Sequence, residues 1–119
     1  MSEITSDENP YYSPLTALPA PPELAHIPGA RTWLQADAAG SAVLVADVAP
    51  GHGPPRHQHE TAEIQYLPAC RMAYHIGALH FLVTGPGVLS IPPRTLHAFT
   101  NLGAEPVRVV AFFPPASDS

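Results

Sequence analysis

The chain has 119 residues, a 45% hydrophobic share and a formal charge of −5. That suits one domain with one compact core and leaves little room for a second. The five basic residues are all arginines (Arg31, Arg56, Arg71, Arg94 and Arg108) and are spread along the chain, so no cationic patch exists to track phosphates and nucleic acid is not an expected partner.

No basic segment followed by an apolar run is visible at the start, and no apolar stretch reaches membrane-spanning length. A cytoplasmic protein with no membrane partner is the expectation. Cys70 is the single cysteine, which excludes an intrachain disulfide framework. A small buried hydrophobe is its expected role.

Residues 1–28 carry six prolines and no clear period. Proline donates to neither helix nor sheet, so an extended arm is expected there, with a barrel domain over 29–119. Tyr11, Tyr12, Leu15 and Leu18 are candidate anchors for the arm on a neighbouring subunit. From Arg31 onward the pattern is β. Strands are expected over 31–37 and 41–48, with a turn at Ala39–Gly40, and then over 63–67, 72–76, 79–83, 88–92, 97–101 and 107–113. Each is short and bounded by Pro, Gly or Asn. Many short strands at close spacing predict an all-β barrel or sandwich. Open strand edges in so small a barrel favour a homodimer.

Three of the chain's 7 histidines fall in one stretch, "GHGPPRHQHETAE", from Gly51 to Glu63. Side chains on a strand alternate faces, so His57 and His59 are expected to point the same way, with Glu63 following after a bend. Glu60 is the rival carboxylate, with the wrong parity. Pro54 and Pro55 restrict the approach. A second stretch, "GVLSIPPRTLHAFTN", places His97 on a different strand, where it completes a set of three histidines and one glutamate.

The two stretches resemble the paired sequence motifs of the cupin superfamily. Gly51, His57, His59 and Glu63 match the first motif, and Pro92, His97 and Asn101 match the second. The resemblance covers about residues 31 to 115. It implies a double-stranded β-helix, a jelly-roll-like barrel of two antiparallel sheets, with one divalent metal ion held by His57, His59, Glu63 and His97. Three turn positions depart from the pattern: Cys70 and Arg94 stand where glycines are usual, and Val88 stands where an aspartate is common.

Imidazole and carboxylate donors suit Fe, Mn, Ni, Co, Cu or Zn. Four protein ligands would close a tetrahedral zinc site, whereas an octahedral ion keeps two open positions, so Fe(II) or Mn(II) is favoured. With parity counted from Glu63, Gln65 faces inward and offers a donor and an acceptor beside the metal. It is the expected catalytic residue, with Tyr66 in its place if a bulge flips the strand. Phe99 shares the parity of His97 and walls the pocket, and Tyr74 and Phe81 are expected core residues bordering it. Along the second strand either Val43, Val45 and Asp47 or Leu44, Ala46 and Val48 face inward. His52, His75 and His80 read as surface residues, His26 belongs to the arm, and Arg56 and Arg94 read as solvated charges at the rim. The expected function is a metal-dependent enzyme on a small organic substrate, with oxygenase-type chemistry first. A Lewis-acid isomerase, cyclase or lyase and a non-catalytic sensor are the alternatives.

Overall fold

The structure is a computed structural model, and it describes residues 11–18, 29–36 and 39–115. Most of the arm expected over 1–28 lies outside the described residues. Within 11–18 a single 3₁₀ turn spans Leu15–Ala17, with Tyr11 and Tyr12 exposed and Leu15 and Leu18 half-buried.

Eight strands follow: β1 (Ala30–Ala36), β2 (Ala42–Val48), β3 (Glu63–Leu67), β4 (Arg71–Ile76), β5 (Leu79–Thr84), β6 (Gly87–Ile91), β7 (His97–Asn101) and β8 (Val107–Phe113). They form two antiparallel sheets, one ordered β1-β2-β8-β3-β6 and the other β5-β4-β7. This is the all-β, two-sheet architecture expected. Hairpin turns carry the residues their geometry demands. Gly77, between β4 and β5, has a φ of 58°, which glycine adopts without steric penalty.

The core lies between the sheets. Leu44, Ala46 and Val48 of β2 meet Val107, Val109 and Ala111 of β8 on one side and Met72, Tyr74 and Phe99 on the other. Each large apolar side chain buried here contributes on the order of 1.5–3 kcal/mol. The register of β2 is therefore the one with Leu44, Ala46 and Val48 inside. Val43 is exposed, and Asp47 points outward to Arg108, with Nε–Oδ1 and Nη2–Oδ2 distances of 2.7 and 2.8 Å. Cys70 is half-buried against this core.

Asn101 fastens three segments at the end of β7. Its side-chain amide donates to the carbonyls of Val48 (3.0 Å) and Glu105 (2.8 Å), and its Oδ1 accepts from the Gly103 N–H (2.9 Å). It is fully buried with every one of these groups paired, which is how an interior amide is tolerated.

Candidate metal centre

The stretch from Gly51 to His59 runs antiparallel to β7 without becoming a strand. The Asn101 N–H donates to His52, and His57 and His97 exchange N–H···O=C bonds of 3.0 and 2.9 Å. Between these points the ladder lapses. Pro54 and Pro55 have no N–H to give, and Gly53 lies so close to β7 that a Cβ there would collide with the Phe99 carbonyl. This corrects the expectation of a strand through His57 and His59: only the isolated His57–His97 bridge forms. The two rings converge nevertheless, with centroids 4.9 Å apart, and each lies within 5.4 Å of the His97 ring.

Arg94 sits at the other approach with a φ of 54°, a left-handed conformation that favours glycine. This is the motif position where Arg94 replaces glycine, so the backbone shape persists without it. The Arg94 N–H donates to the His59 carbonyl at 2.7 Å and so supports the loop that carries that histidine. The Arg94 side chain stays at the surface, 3.9 Å from Glu60.

Glu63 opens β3 facing inward. Its Oε1 lies 3.1 Å from His97 Nε2 and 3.3 Å from His59 Nε2. The donor atoms of His57, His59, Glu63 and His97 all lie within 4.8 Å of one another. Ligands at about 2.0–2.2 Å from one ion stand no more than about 4.4 Å apart, so a few tenths of an ångström of side-chain movement closes the set around a cation. The remaining ring nitrogens fit this use. His57 Nδ1–H donates to the Pro55 carbonyl (2.7 Å) and His97 Nδ1–H to that of Thr95 (2.8 Å), leaving each Nε2 to face the cluster. Backbone carbonyls orient metal-binding histidines in this way.

Two acceptors face the His97 ring, Glu63 Oε1 at Nε2 and the Thr95 carbonyl at Nδ1, and both favour its charged form. Burial opposes that charge, but Glu63 and the Thr95 carbonyl outweigh it and raise the His97 pKa. For Glu63, burial raises the pKa, and hydrogen bonds from His59, His97 and Gln65 overcome it and hold the carboxyl down to about 2. Burial pulls His57 downward, toward the neutral form a metal ligand needs.

Gln65 faces inward as expected but does not border the open space. Its Nε2 donates to Glu63 Oε2 at 2.6 Å, and its Oε1 accepts the Tyr74 hydroxyl at 2.6 Å. Gln65 is 1% exposed. The run Tyr74–Gln65–Glu63 is thus a closed buried chain behind the cluster, and burial pushes the Tyr74 hydroxyl pKa well above its ordinary value. Sequence alone could not show that Gln65 would be consumed, because Tyr74 reaches it from the opposite sheet. Tyr66 is on the outer face and 53% exposed, since no bulge flips β3. The alternative that put Tyr66 in the pocket is thereby corrected.

A narrow cavity opens to solvent in front of the cluster. Leu44, Ala46, Val48, Pro54, Phe99 and Phe113 give it an apolar lining, and Ala30 and Thr32 of β1 complete the wall beside His57, His59 and Glu63. Phe99 takes the expected place. Tyr74 and Phe81 do not line this cavity. They stack on each other with ring centroids 5.9 Å apart and support Phe99 from behind, 5.3 Å from Tyr74. Arg56 lies away from it too, donating to His75 Nδ1 at 3.0 Å, with His80 beside His75 on the outer face of the smaller sheet.

A family model described as a cupin domain matches residues 44–113. The fold is similar to KdgF from Halomonas sp. at a TM-score of 0.63, with 18% identity over 76% of this chain and 85% of that one. It is similar to an RmlC-like cupin from Shewanella frigidimarina at 0.64, with 13% identity over 76% and 79%. Oxalate decarboxylase from Bacillus subtilis gives 0.67 and 21% identity over 75% of this chain and 26% of that one. No curated protein matches the chain.

Proposed function

The chain belongs to the cupin family, and from that premise we propose that it is a metal-dependent enzyme acting on a small, largely apolar organic substrate by oxygenase-type chemistry. The observation that carries this reading is the convergence of His57, His59, Glu63 and His97 on one point facing an apolar cavity. These four residues would hold the ion, with Fe(II) or Mn(II) favoured by the donor set. Such an ion, when bound, supplies a Lewis-acidic, redox-capable centre with open positions for a substrate or for substrate and O₂.

The protein's own contribution is shape and orientation. Leu44, Val48, Phe99 and Phe113 exclude water and favour apolar substrate groups. Thr32 offers one hydroxyl to orient a polar substituent. Apart from the four donors, the described lining contains no charged side chain and no cysteine or tyrosine. Isomerisation or elimination usually needs a positioned proton carrier, so this lining supports oxygen chemistry over a Lewis-acid lyase. Gln65 acts as a positioning residue: its amide donates to Glu63 Oε2, and Glu63 Oε1 is the oxygen that faces His59 and His97.

Oxygen consumption tests the reading. Protein loaded anaerobically with Fe(II) is mixed with small diketones, phenols and thiols under O₂. Uptake matched by oxygen in the product is expected with one class. Turnover supported equally by Zn(II), without O₂ uptake, would move the assignment to the lyase or isomerase class. Tight substrate binding with no conversion under any metal would make the protein a sensor.

A further inference from the structure

The smaller sheet is built without acid. Its strands β4, β5 and β7 hold no aspartate or glutamate, although the chain carries a formal charge of −5. Register sets His80, His75 and Ala98 in one row across the three strands. The His57–His97 bridge brings Arg56 alongside Ala98 at the end of that row. Ala98 ends at a methyl group, so the guanidinium can cross it to His75, and Arg56 Nη2 lies 3.0 Å from His75 Nδ1. The His75 and His80 rings are in contact, with centroids 3.7 Å apart. Basic groups set directly opposite one another repel when charged. Among the described residues, no carboxylate forms an ion pair with any of the three.

We propose that Arg56, His75 and His80 form a binding site for a phosphate group, either the free ion or a small monoester. The donors are already disposed for it. An arginine donates and cannot accept, so its bond makes His75 Nδ1 the acceptor and leaves the ring hydrogen of the neutral form on Nε2. Arg56 keeps further N–H groups, and His80 adds a ring N–H. Phosphate oxygens accept several such bonds at once, most strongly from a guanidinium. Three donor groups from a loop and two strands suit tetrahedral oxygens, whereas a carboxylate offers two in one plane.

The surroundings fit the same ligand. Desolvation, His80 and Arg56 hold the His75 pKa below its ordinary value, as happens when basic groups gather without a counter-ion. An anion among them removes that repulsion. Ala73 and Leu82 wall a shallow recess beside the two histidines, which leaves room for the organic part of a monoester. A second metal ion fits less well. Arg56 occupies one nitrogen of His75 with a donor and places a fixed positive charge next to any cation.

Isothermal titration calorimetry on the full chain as purified tests the site. Inorganic phosphate, methyl phosphate and acetate are titrated at constant ionic strength, with circular dichroism on every variant. At least one of the two phosphates is expected to bind with a dissociation constant of about 1 mM or below, and acetate about tenfold more weakly. Tighter binding of methyl phosphate would support a monoester site, and tighter binding of inorganic phosphate a site for the free ion. Arg56→Gln should weaken phosphate about 10- to 100-fold, the loss of one charge-assisted bond, and His80→Ala several-fold. Both side chains are exposed, so the fold should be unchanged in each. His59→Ala, which opens the metal cluster, should bind phosphate as wild type does. No binding of either phosphate at about 10 mM, acetate bound as tightly, affinity unchanged in Arg56→Gln, or affinity lost in His59→Ala would each overturn the proposal.

Discussion

At β3 the two faces of the five-stranded sheet invert the usual rule. The inner face of β3 presents Glu63 and Gln65 to the barrel interior, and the outer face presents Ile64 and Tyr66 to solvent. Inside, each polar group has a partner, and no buried side-chain nitrogen or oxygen among the described residues lacks one. Outside, apolar side chains adjoin one another, with Gln35 and Ser90 at the ends of one row and Arg31, Asp47 and Arg108 in another. A polar group placed in a core must be held by others, and this one is held in a line from Tyr74 to the cluster of His57, His59, Glu63 and His97. Substitutions on the inner face should therefore be read in stability and metal affinity, and those on the outer face should leave metal affinity unchanged.

The largest effect expected on this contrast comes from Gln65→Leu. It leaves Glu63 Oε2 and the Tyr74 hydroxyl without partners inside the core, a loss of about 1–3 kcal/mol for each orphaned group. Denaturant unfolding should show it. Metal affinity should fall by about 10- to 100-fold, as when a supporting hydrogen bond to a ligand is lost. Tyr66→Lys, one residue away, should leave metal affinity unchanged. Equal losses from both would break the distinction between the faces.

A pH series sharpens the inner side. The Glu63 pKa is depressed to about 2 from 4.5, so its contribution to the metal-free fold is present above 4.5 and is lost as pH falls toward 2. The His97 pKa is raised above 6.5, so its contribution is complete below 6.5 and fades as pH rises through the folded value. Metal-free protein should be most stable between these limits. Metal must displace the proton on His97, so apparent metal affinity should instead climb through and above 6.5. A metal affinity flat from pH 5 to 8, measured by competition with a chelator, would contradict the raised His97 pKa.

Arg94→Gly is a smaller effect on the approach loop. Relief of the left-handed backbone is worth about 1 kcal/mol and is partly offset by the freer unfolded chain, so a gain of about 0.5 kcal/mol or less is expected in denaturant unfolding. Smallest of all is Asp47→Asn on the outer face. Arg108 lowers the Asp47 pKa, yet the pair stands at the surface and is screened. No shift in melting temperature beyond error is expected at physiological salt.

Much of this was legible in the residues. Short strands punctuated by Pro and Gly gave the all-β barrel, and the spacing of His57, His59, Glu63 and His97 gave the cluster. What remained hidden follows from the same inverted sheet. Parity could not choose between Val43–Val45–Asp47 and Leu44–Ala46–Val48, because Val43 and Val45 on the outer side of β2 are as apolar as the inner residues and blur the alternation that marks a half-buried strand. Two consecutive prolines removed the donors that a strand through His57 would need, so the histidines converge from a loop. Gln65 was placed on the right face, but its partner Tyr74 lies on the opposite sheet, and sequence carries no distance between sheets.

Metal analysis of the purified protein and its single variants tests the central claim most directly. Wild type, His57→Ala, His59→Ala, His97→Ala and Glu63→Ala are each equilibrated with Fe(II) or Mn(II), freed of unbound ion and measured by elemental analysis. One ion per chain is expected for wild type, loss of most metal for each histidine variant, and weakened but residual binding for Glu63→Ala. Full occupancy in any two of the histidine variants would contradict the four-residue centre.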